Sequence, residues 1–216
     1  HFRDLVAIGT VSWSPDGRKI AFTAVDKSGK NDLYIWYVKE EILHRLTNDF
    51  YDEKELTWFT NGDSIVFNSD RTPFGVNGSY NLFTYNLLDN TIRYLTYGNE
   101  SYFTPEFSPD GHKLIFTSDI GGARNIWMME SRGQNAFREM RKITNFTTAA
   151  FDPIWAENEL VFISFENFQF QIRILPNADD IYDSSTVRYP LDFIVANSPW
   201  EPVPISGITQ EELYRY

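Results

Sequence analysis

Short apolar stretches recur along this chain. Each comes directly after a polar turn, and an aromatic residue stands just before that turn. The opening aromatic residues are Trp13, Trp58, Phe107 and Trp155. Their spacing gives a period of 45, 49 and 48 residues. The apolar run after each turn also ends at an aromatic residue: Phe22, Phe67, Phe116 and Phe162. A period of this length is typical of stacked supersecondary units, so the repeat governs the predicted fold.

The turn that follows each opening aromatic residue contains glycine in three of the four repeats. These turns are Pro15-Asp16-Gly17, Asn61-Gly62 and Pro109-Asp110-Gly111. Glycine accepts positive φ, and an Asp or Asn side chain can bond the nearby backbone, so such turns favour tight hairpins. We therefore interpret the following as structural turn residues rather than catalytic ones: Asp16, Gly17, Asn61, Gly62, Asp110 and Gly111.

Two further stretches complete each repeat. The third stretches are Leu33–Trp36, Leu82–Tyr85, Ile126–Met129 and Ile172–Ile174. The fourth are Arg45–Thr47, Tyr94–Thr96 and Lys142–Thr144, with Thr186–Tyr189 expected to serve the last repeat. All are short, rich in aromatic and β-branched residues, and bounded by turn residues, which predicts strands.

Four antiparallel strands in a unit that repeats radially form a blade of a β-propeller. The predicted fold class is all-β, a β-propeller of about four four-stranded antiparallel blades that is complete or belongs to a larger propeller. Each blade is expected to bury its opening aromatic residue and its second-strand Phe against the next blade. The predicted division is a lead-in strand or linker (1–9), blades (10–191, as repeats 10–47, 48–96, 97–144 and 145–191) and a Pro-rich exit (192–216).

The run Trp13–Phe22, followed by Leu33–Ile35 and Arg45–Asn48, resembles the TolB-like propeller repeat, a WD-like repeat that opens on Trp/Phe-Ser-Pro-Asp-Gly. The resemblance covers about residues 10–175 and is strongest in the first and third repeats. Similar propellers occur in tricorn-like and prolyl-oligopeptidase-like peptidases and in bacterial envelope proteins. The resemblance implies a fold but no single activity, because unrelated functions share this module.

Composition narrows the classes of partner. The chain has 216 residues, with 30 acidic against 19 basic ones and a net charge of −11. Such a charge repels phosphate backbones, so no nucleic-acid partner is predicted. The chain contains no cysteine, which excludes disulfides and thiolate metal sites. No stretch approaches the roughly 20 apolar residues of a membrane-spanning helix. Since the chain begins at His1, we expect a mature or excised piece of a longer protein.

Candidate catalytic chemistry is scarce. The three histidines are His1, His44 and His112, and none belongs to a recognisable catalytic or metal-binding motif. The acidic run that contains Asp49, Asp52, Glu53 and Glu55 offers the oxygen ligands that Ca²⁺ takes. A solvated acidic loop is the favoured interpretation of that run. The sequence therefore predicts no catalytic residue, no metal site and no cofactor.

Aromatic residues also gather in loops that a propeller brings to one face. These loops are 48–55, 97–104, 145–152 and the insertion 71–80. The predicted partner-binding face comprises Phe50, Tyr51, Asp52, Phe74, Tyr97, Tyr102, Phe103, Phe146, Phe151 and Asp152. Aromatic residues beside polar ones are typical of protein interfaces.

These observations favour a non-catalytic scaffold that binds a protein partner or an adjacent domain of the same protein. The resemblance implies a periplasmic, cell-envelope or extracellular location. Two alternatives stay open: the substrate-gating propeller of a peptidase whose catalytic domain lies outside this chain, and a propeller glycosidase with paired carboxylates in its channel. If the ring is incomplete, open blade edges would also invite self-association.

Overall fold

The computed structural model describes residues 2–131, 137–178, 188–190 and 198–201. Their strands form four antiparallel sheets, the blades of a β-propeller, with one short 3₁₀ helix at Pro73–Asn77. The predicted all-β propeller of four blades is confirmed.

Each blade follows the chain from one strand to the next. Blade one comprises β1 (Leu5–Trp13), β2 (Lys19–Asp26), β3 (Asn31–Tyr37) and β4 (Ile42–Arg45). Blade two comprises β5 (Glu53–Trp58), β6 (Ser64–Ser69), β7 (Asn81–Asn86) and β8 (Thr91–Tyr94). Blade three contains β9 (Tyr102–Phe107), β10 (Lys113–Ser118), β11 (Asn125–Ser131) and β12 (Phe137–Lys142). Blade four contains β13 (Ala149–Ala156), β14 (Glu159–Glu166) and β15 (Gln169–Leu175).

The last described strand, β16 (Arg188–Pro190), does not complete blade four. It pairs antiparallel with β12, with Tyr189 opposite Met140, so blade three has five strands and blade four has three. The prediction that Thr186–Tyr189 supplies the fourth strand of blade four is wrong. The outer edge of β12 offers unpaired backbone groups, and this later segment satisfies them.

The predicted fourth stretches lie at strand ends rather than within strands. Thr47, Thr96 and Thr144 come just after β4, β8 and β12. In blades one to three this threonine hydroxyl accepts a hydrogen bond from the backbone N–H of the first apolar residue of the third strand, at 2.8–2.9 Å. The Leu-Thr or Ile-Thr pair therefore extends the ladder by one side-chain bond where the strand stops.

The glycine turns have the geometry of tight hairpins. The Asp16 carboxylate accepts from the Ser14 hydroxyl at 2.6 Å and from the Arg18 N–H at 3.0 Å. Asp110 repeats both contacts, and Asn61 accepts from the Asp63 N–H. These hydrogen bonds lower the pKa of Asp16 and of Asp110. The Asp and Asn side chains of these turns are therefore engaged by their own turns.

Apolar cores lie between successive blades. Trp58 and Phe67 of blade two pack with Leu33 and Ile35 of blade one, and the Trp58 indole N–H donates to the Ser12 carbonyl at 3.1 Å. Equivalent cores join blades two and three, and blades three and four. The opening aromatic residue therefore packs against the preceding blade, not the following one as expected.

Trp13 is an exception to the expected burial. Trp58 and Phe107 are buried, whereas Trp13 is 56% exposed. Strand β5 packs on β1, β9 on β5 and β13 on β9, but no comparable packing joins the described strands β13 and β1. Trp13 thus stands at a core position of the repeat, but among the described residues no blade packs over it as blade one packs over Trp58.

Polar bonds near the inner strands also join the blades. The Thr23 hydroxyl donates to the Lys54 carbonyl at 3.0 Å, and the Asn68 amide donates to the Tyr102 carbonyl at 3.1 Å. Thr117, at the same place in blade three, accepts from the Asp152 N–H at 3.1 Å. One repeat position therefore links three successive pairs of blades.

Candidate functional site

A buried arginine organises the junction between blades one and two. Arg71 follows β6, and its side chain is fully buried. Its guanidinium group donates to the Asp49 carboxylate at 3.2 Å, to the Ser69 hydroxyl at 3.1 Å and to the Glu53 carboxylate. The rings that surround its Cζ atom at 4.6–5.7 Å belong to Tyr51, Phe67, Phe83 and Trp200. Arginine suits this place because its planar cation can donate hydrogen bonds to carboxylates at its edge and lie against aromatic rings with its faces.

A second arginine balances the neighbouring carboxylates. Arg45 contacts the buried Asp32 carboxylate and lies 2.9 Å from that of Asp26. Carboxylate oxygens of Asp32, Asp49 and Glu53 lie within 4.8 Å of one another. Arg45 and Arg71 place two positive charges against these three carboxylates, with Arg45 on Asp32 and Arg71 on Asp49 and Glu53.

Glu53 has an unusual ionisation equilibrium. The pKa of its carboxyl is raised to about 8: burial is the largest cause, Asp49 and Asp32 add to the increase, and Arg71 opposes it. The protonated form is therefore substantially populated near neutral pH, and it still offers an acceptor oxygen to Arg71.

The remaining residues of the acidic run have separate partners. Asp52 accepts from the Tyr80 hydroxyl and the Asn31 amide, both at 2.7 Å. Glu55 accepts from the Asn68 amide at 2.6 Å and the Thr104 N–H at 3.0 Å, while burial raises its pKa. Among the described residues, Asp52 and Glu55 do not join the cluster of three carboxylates.

An open groove runs beside this junction, between the β2–β3 turn and the loop before β5. Its volume is about 500 Å³, and its lining includes Lys30, Phe50, Tyr51 and Asp52. Phe50 is 76% exposed at the rim, with the Lys30 ammonium 4.7 Å from its ring centroid. Three of the residues predicted to face a partner therefore share one surface, which we call the Phe50 groove.

The other predicted aromatic residues do not gather there. Phe74 lies edge-on to Tyr97, and Arg124 lies over Phe103, 4.7 Å from its centroid. Tyr102 is only 2% exposed and belongs to the core between blades two and three, so it is removed from the candidate surface. Phe146 packs beside the core of blades three and four.

Phe151 and Asp152 lie in β13 of blade four. The Phe151 ring is edge-on to Phe170, with 6.1 Å between centroids. Asp152 is exposed as a whole residue, but desolvation of its carboxyl group raises the pKa of that group. The predicted face is thus divided among several blade junctions rather than forming one patch.

A late segment of the chain returns to this region. The backbone N–H of Trp200 donates to the Ile92 carbonyl at 2.7 Å, and the backbone N–H of Tyr94 donates to the Ser198 carbonyl at 3.1 Å. Residues 198–201 therefore pair with the outer edge of blade two. The Trp200 ring meets Tyr51 edge-on, with 5.7 Å between centroids.

Sequence reasoning missed Arg71 and Trp200. Arg71 lies in an insertion that the other repeats lack, and Trp200 follows the last repeat. Neither residue has a periodic counterpart, and the only available signal was an aromatic residue within a Pro-rich segment.

The two described histidines are far from a catalytic arrangement. His44 is exposed on β4 beside the Tyr37 ring, and His112 is exposed in the turn of blade three. Neither makes a contact with a serine and a carboxylate of the kind a hydrolytic triad needs. In the described part of the chain, no helix is long and apolar enough to cross a membrane.

No protein-family model matches this chain. Its fold is similar to TolB from Acinetobacter baumannii, with a TM-score of 0.62 and 17% identity over 87% of this chain and 43% of that one. A protein of Agrobacterium tumefaciens provisionally described as TolB gives a TM-score of 0.64 and 19% identity over 77% of this chain and 60% of that one. A puromycin-hydrolysing peptidase of Mycobacterium tuberculosis gives a TM-score of 0.63 and 10% identity over 80% of this chain and 27% of that one. The chain thus spans about half the length of the two TolB structures, and the likeness shows the fold alone.

Proposed function

We propose that this chain is a non-catalytic propeller module that binds a segment of a protein partner, or of an adjacent domain, in the Phe50 groove. The observation that carries the proposal is the exposed ring of Phe50 at the rim of a concave surface with fixed polar neighbours. Exposed aromatic residues beside such polar groups are typical anchors of protein interfaces.

The chemistry of the groove favours binding over catalysis. Asp52 is held by Tyr80 and Asn31, and Lys30 lies over Phe50, so these groups are positioned to orient a ligand. The burial of Glu53 behind Arg71 keeps that carboxyl away from a bound molecule. A peptide could place a side chain on the Phe50 ring and an acceptor near the Lys30 ammonium.

A location in the bacterial envelope is part of the same proposal. It is supported by the TolB-like repeat and by the similarity in fold to TolB structures. The net charge of −11 disfavours a nucleic-acid partner.

The gating propeller of a peptidase is a second candidate, because propellers of puromycin-hydrolysing peptidases share the fold. In that case the groove would contact the catalytic domain or guide a peptide toward it.

Selection of peptides from a random display library on the immobilised chain tests the proposal. Selected peptides should lose binding to Phe50→Ser and to Lys30→Glu. They should keep binding to Leu88→Ser, which removes an equally exposed apolar residue from a turn of blade two. Failure to select peptides, or binding that is indifferent to Phe50, would contradict a role for the groove.

A further inference from the structure

The outward face of blade four is an ordered apolar surface. Cross-strand pairing aligns Phe151 with Ile163 and Ile172 in one row, and Ile154 with Val161 and Ile174 in the next. The bulge between Phe151 and Ile154 keeps both residues on the same face of the sheet. All six side chains are therefore on the side of blade four that points away from blade three.

Three of the six residues are exposed to an extent that apolar side chains in a sheet rarely show. The exposed fraction is 77% for Ile172, 59% for Ile174 and 55% for Ile154. A contiguous apolar surface of this kind on a soluble protein marks an interaction site.

A second exposed apolar surface lies on blade one, at the other end of the series of four blades. Pairing aligns Val11 with Phe22, and Trp13 with Ile20, on the side that points away from blade two. Val11 is 55% exposed and Trp13 is 56% exposed. Phe2 stacks on Phe22 but leaves the inner strand β1 open.

The internal junctions show what each surface packs against. By position in the repeat, Ile172 and Ile174 correspond to Leu33 and Ile35 of blade one, which are fully buried against blade two. They also correspond to Ile126 and Met128 of blade three, which are buried against blade four. The outward face of blade four is thus the aliphatic half of a junction.

The outward face of blade one is the other half. Val11 and Trp13 correspond to Leu56 and Trp58, which are each 4% exposed in the core between blades one and two. In every internal junction the first strand of a blade packs across the first three strands of the preceding blade. Strand β1 is the one first strand among the four blades without such a platform in the described part of the chain.

We propose that blade four of one molecule packs against blade one of a second copy, in the arrangement that the chain uses for its own blade junctions. One chain carries both complementary halves, so the contact is heterologous and joins molecules head to tail. A second copy therefore carries a complementary partner for each of the two faces.

One difference distinguishes this junction from the internal ones. Thr23, Asn68 and Thr117 each bond across a junction, whereas the equivalent residue of blade four is Ile163. The proposed contact therefore lacks that polar bond and depends on apolar burial.

Sedimentation velocity and light scattering on the full chain test the proposal through two complementary variants. Ile172→Lys/Ile174→Lys disables the face of blade four, and Val11→Lys/Trp13→Lys disables that of blade one, so the two altered faces repel each other. The wild-type mass should rise above 25.2 kDa with concentration, whereas each variant alone should stay at 25.2 kDa. An equimolar mixture of the two variants should form a heterodimer of about twice that mass and stop there, because only one pair of intact faces remains.

Val76→Lys is the matched control, since Val76 is 92% exposed but lies on the 3₁₀ helix, and it should associate like the wild type. Two results would overturn the proposal. In one, the wild-type chain stays monomeric at all concentrations, which would mean that another segment or another protein covers both faces. In the other, either variant still associates alone, which would indicate an isologous contact between like faces.

Discussion

The indole ring of Trp200 lies over the guanidinium group of Arg71, with 4.6 Å between the ring centroid and Cζ. The indole N–H also donates to the Arg71 carbonyl oxygen at 3.0 Å, across 129 residues of sequence. These two contacts and the backbone pairing with β8 fix residues 198–201 to blade two. The same ring closes one side of the cage around the buried arginine.

Trp200→Ala should release this segment from blade two. The Tyr94 N–H would lose the Ser198 carbonyl as its acceptor, so its hydrogen exchange should become faster. The free energy of unfolding should fall by about 2 kcal/mol, because a half-buried Trp loses less than a fully buried one. Native-state hydrogen exchange and urea denaturation measure the two effects.

Trp200→Phe and Glu201→Ala serve as controls for this prediction. Phe keeps a ring over Arg71 but lacks the N–H donor, so it should lie between Ala and the wild type. Glu201 is exposed, and its substitution should leave Tyr94 protected. Unchanged exchange at Tyr94 in Trp200→Ala would show that the pairing does not depend on the ring.

Thr117→Val should weaken the junction between blades three and four. The substitution keeps the shape of the side chain but leaves the Asp152 N–H and the Thr104 hydroxyl without this partner. A lost bond of this type costs about 1–2 kcal/mol of unfolding free energy. Thr147→Val, at an exposed threonine, should change the urea midpoint little. Equal midpoints for the two variants would argue against an energetic role for the bond.

Gly111→Ala should destabilise the protein more than Gly17→Ala. Both glycines have positive φ, 73° and 67°, so each substitution strains the backbone by roughly 1 kcal/mol. A Cβ at Gly111 would also lie 2.3 Å from the Thr60 hydroxyl oxygen, whereas nothing lies within 4 Å of one at Gly17. Thermal unfolding of both variants, with Gly111→Ala/Thr60→Ala as a test of relief, checks this difference. Equal losses would mean that Thr60 moves aside at no cost.

The sequence predicted the features that repeat, because they follow from local turn chemistry and strand patterning. The turn geometry of Gly17 and the burial of Phe67 are of this kind. Trp13 could not be distinguished from Trp58, since both open a repeat in the same way. Their difference in burial depends on packing against a neighbouring blade, which the repeat itself does not encode.

Features that occur only once in the chain could not be predicted from the sequence repeat. Arg71 is buried because Asp49 and Glu53 from the neighbouring loop and strand converge on it, and no periodicity marks that meeting. Trp200 reaches the cage only because the chain turns back after blade four. The acidic run was identified, but its role as the counter-charge of an arginine depends on tertiary contacts.

Glu53→Gln should reduce the pH dependence of stability between about pH 5 and pH 8. The raised pKa of Glu53, about 8, means that the native state holds this proton over a range in which the unfolded state has released it. The free energy of unfolding of the wild type should therefore fall as pH rises through this window. Glutamine cannot release a proton and still offers Arg71 an acceptor, so the variant should lose less stability over the same range.

Urea denaturation at several pH values measures both slopes, with Glu40→Gln as an exposed control outside the cluster. Parallel slopes for the wild type and Glu53→Gln would show that another group releases the proton, and a steeper slope for the variant would mean that Arg71 requires the ionised carboxylate.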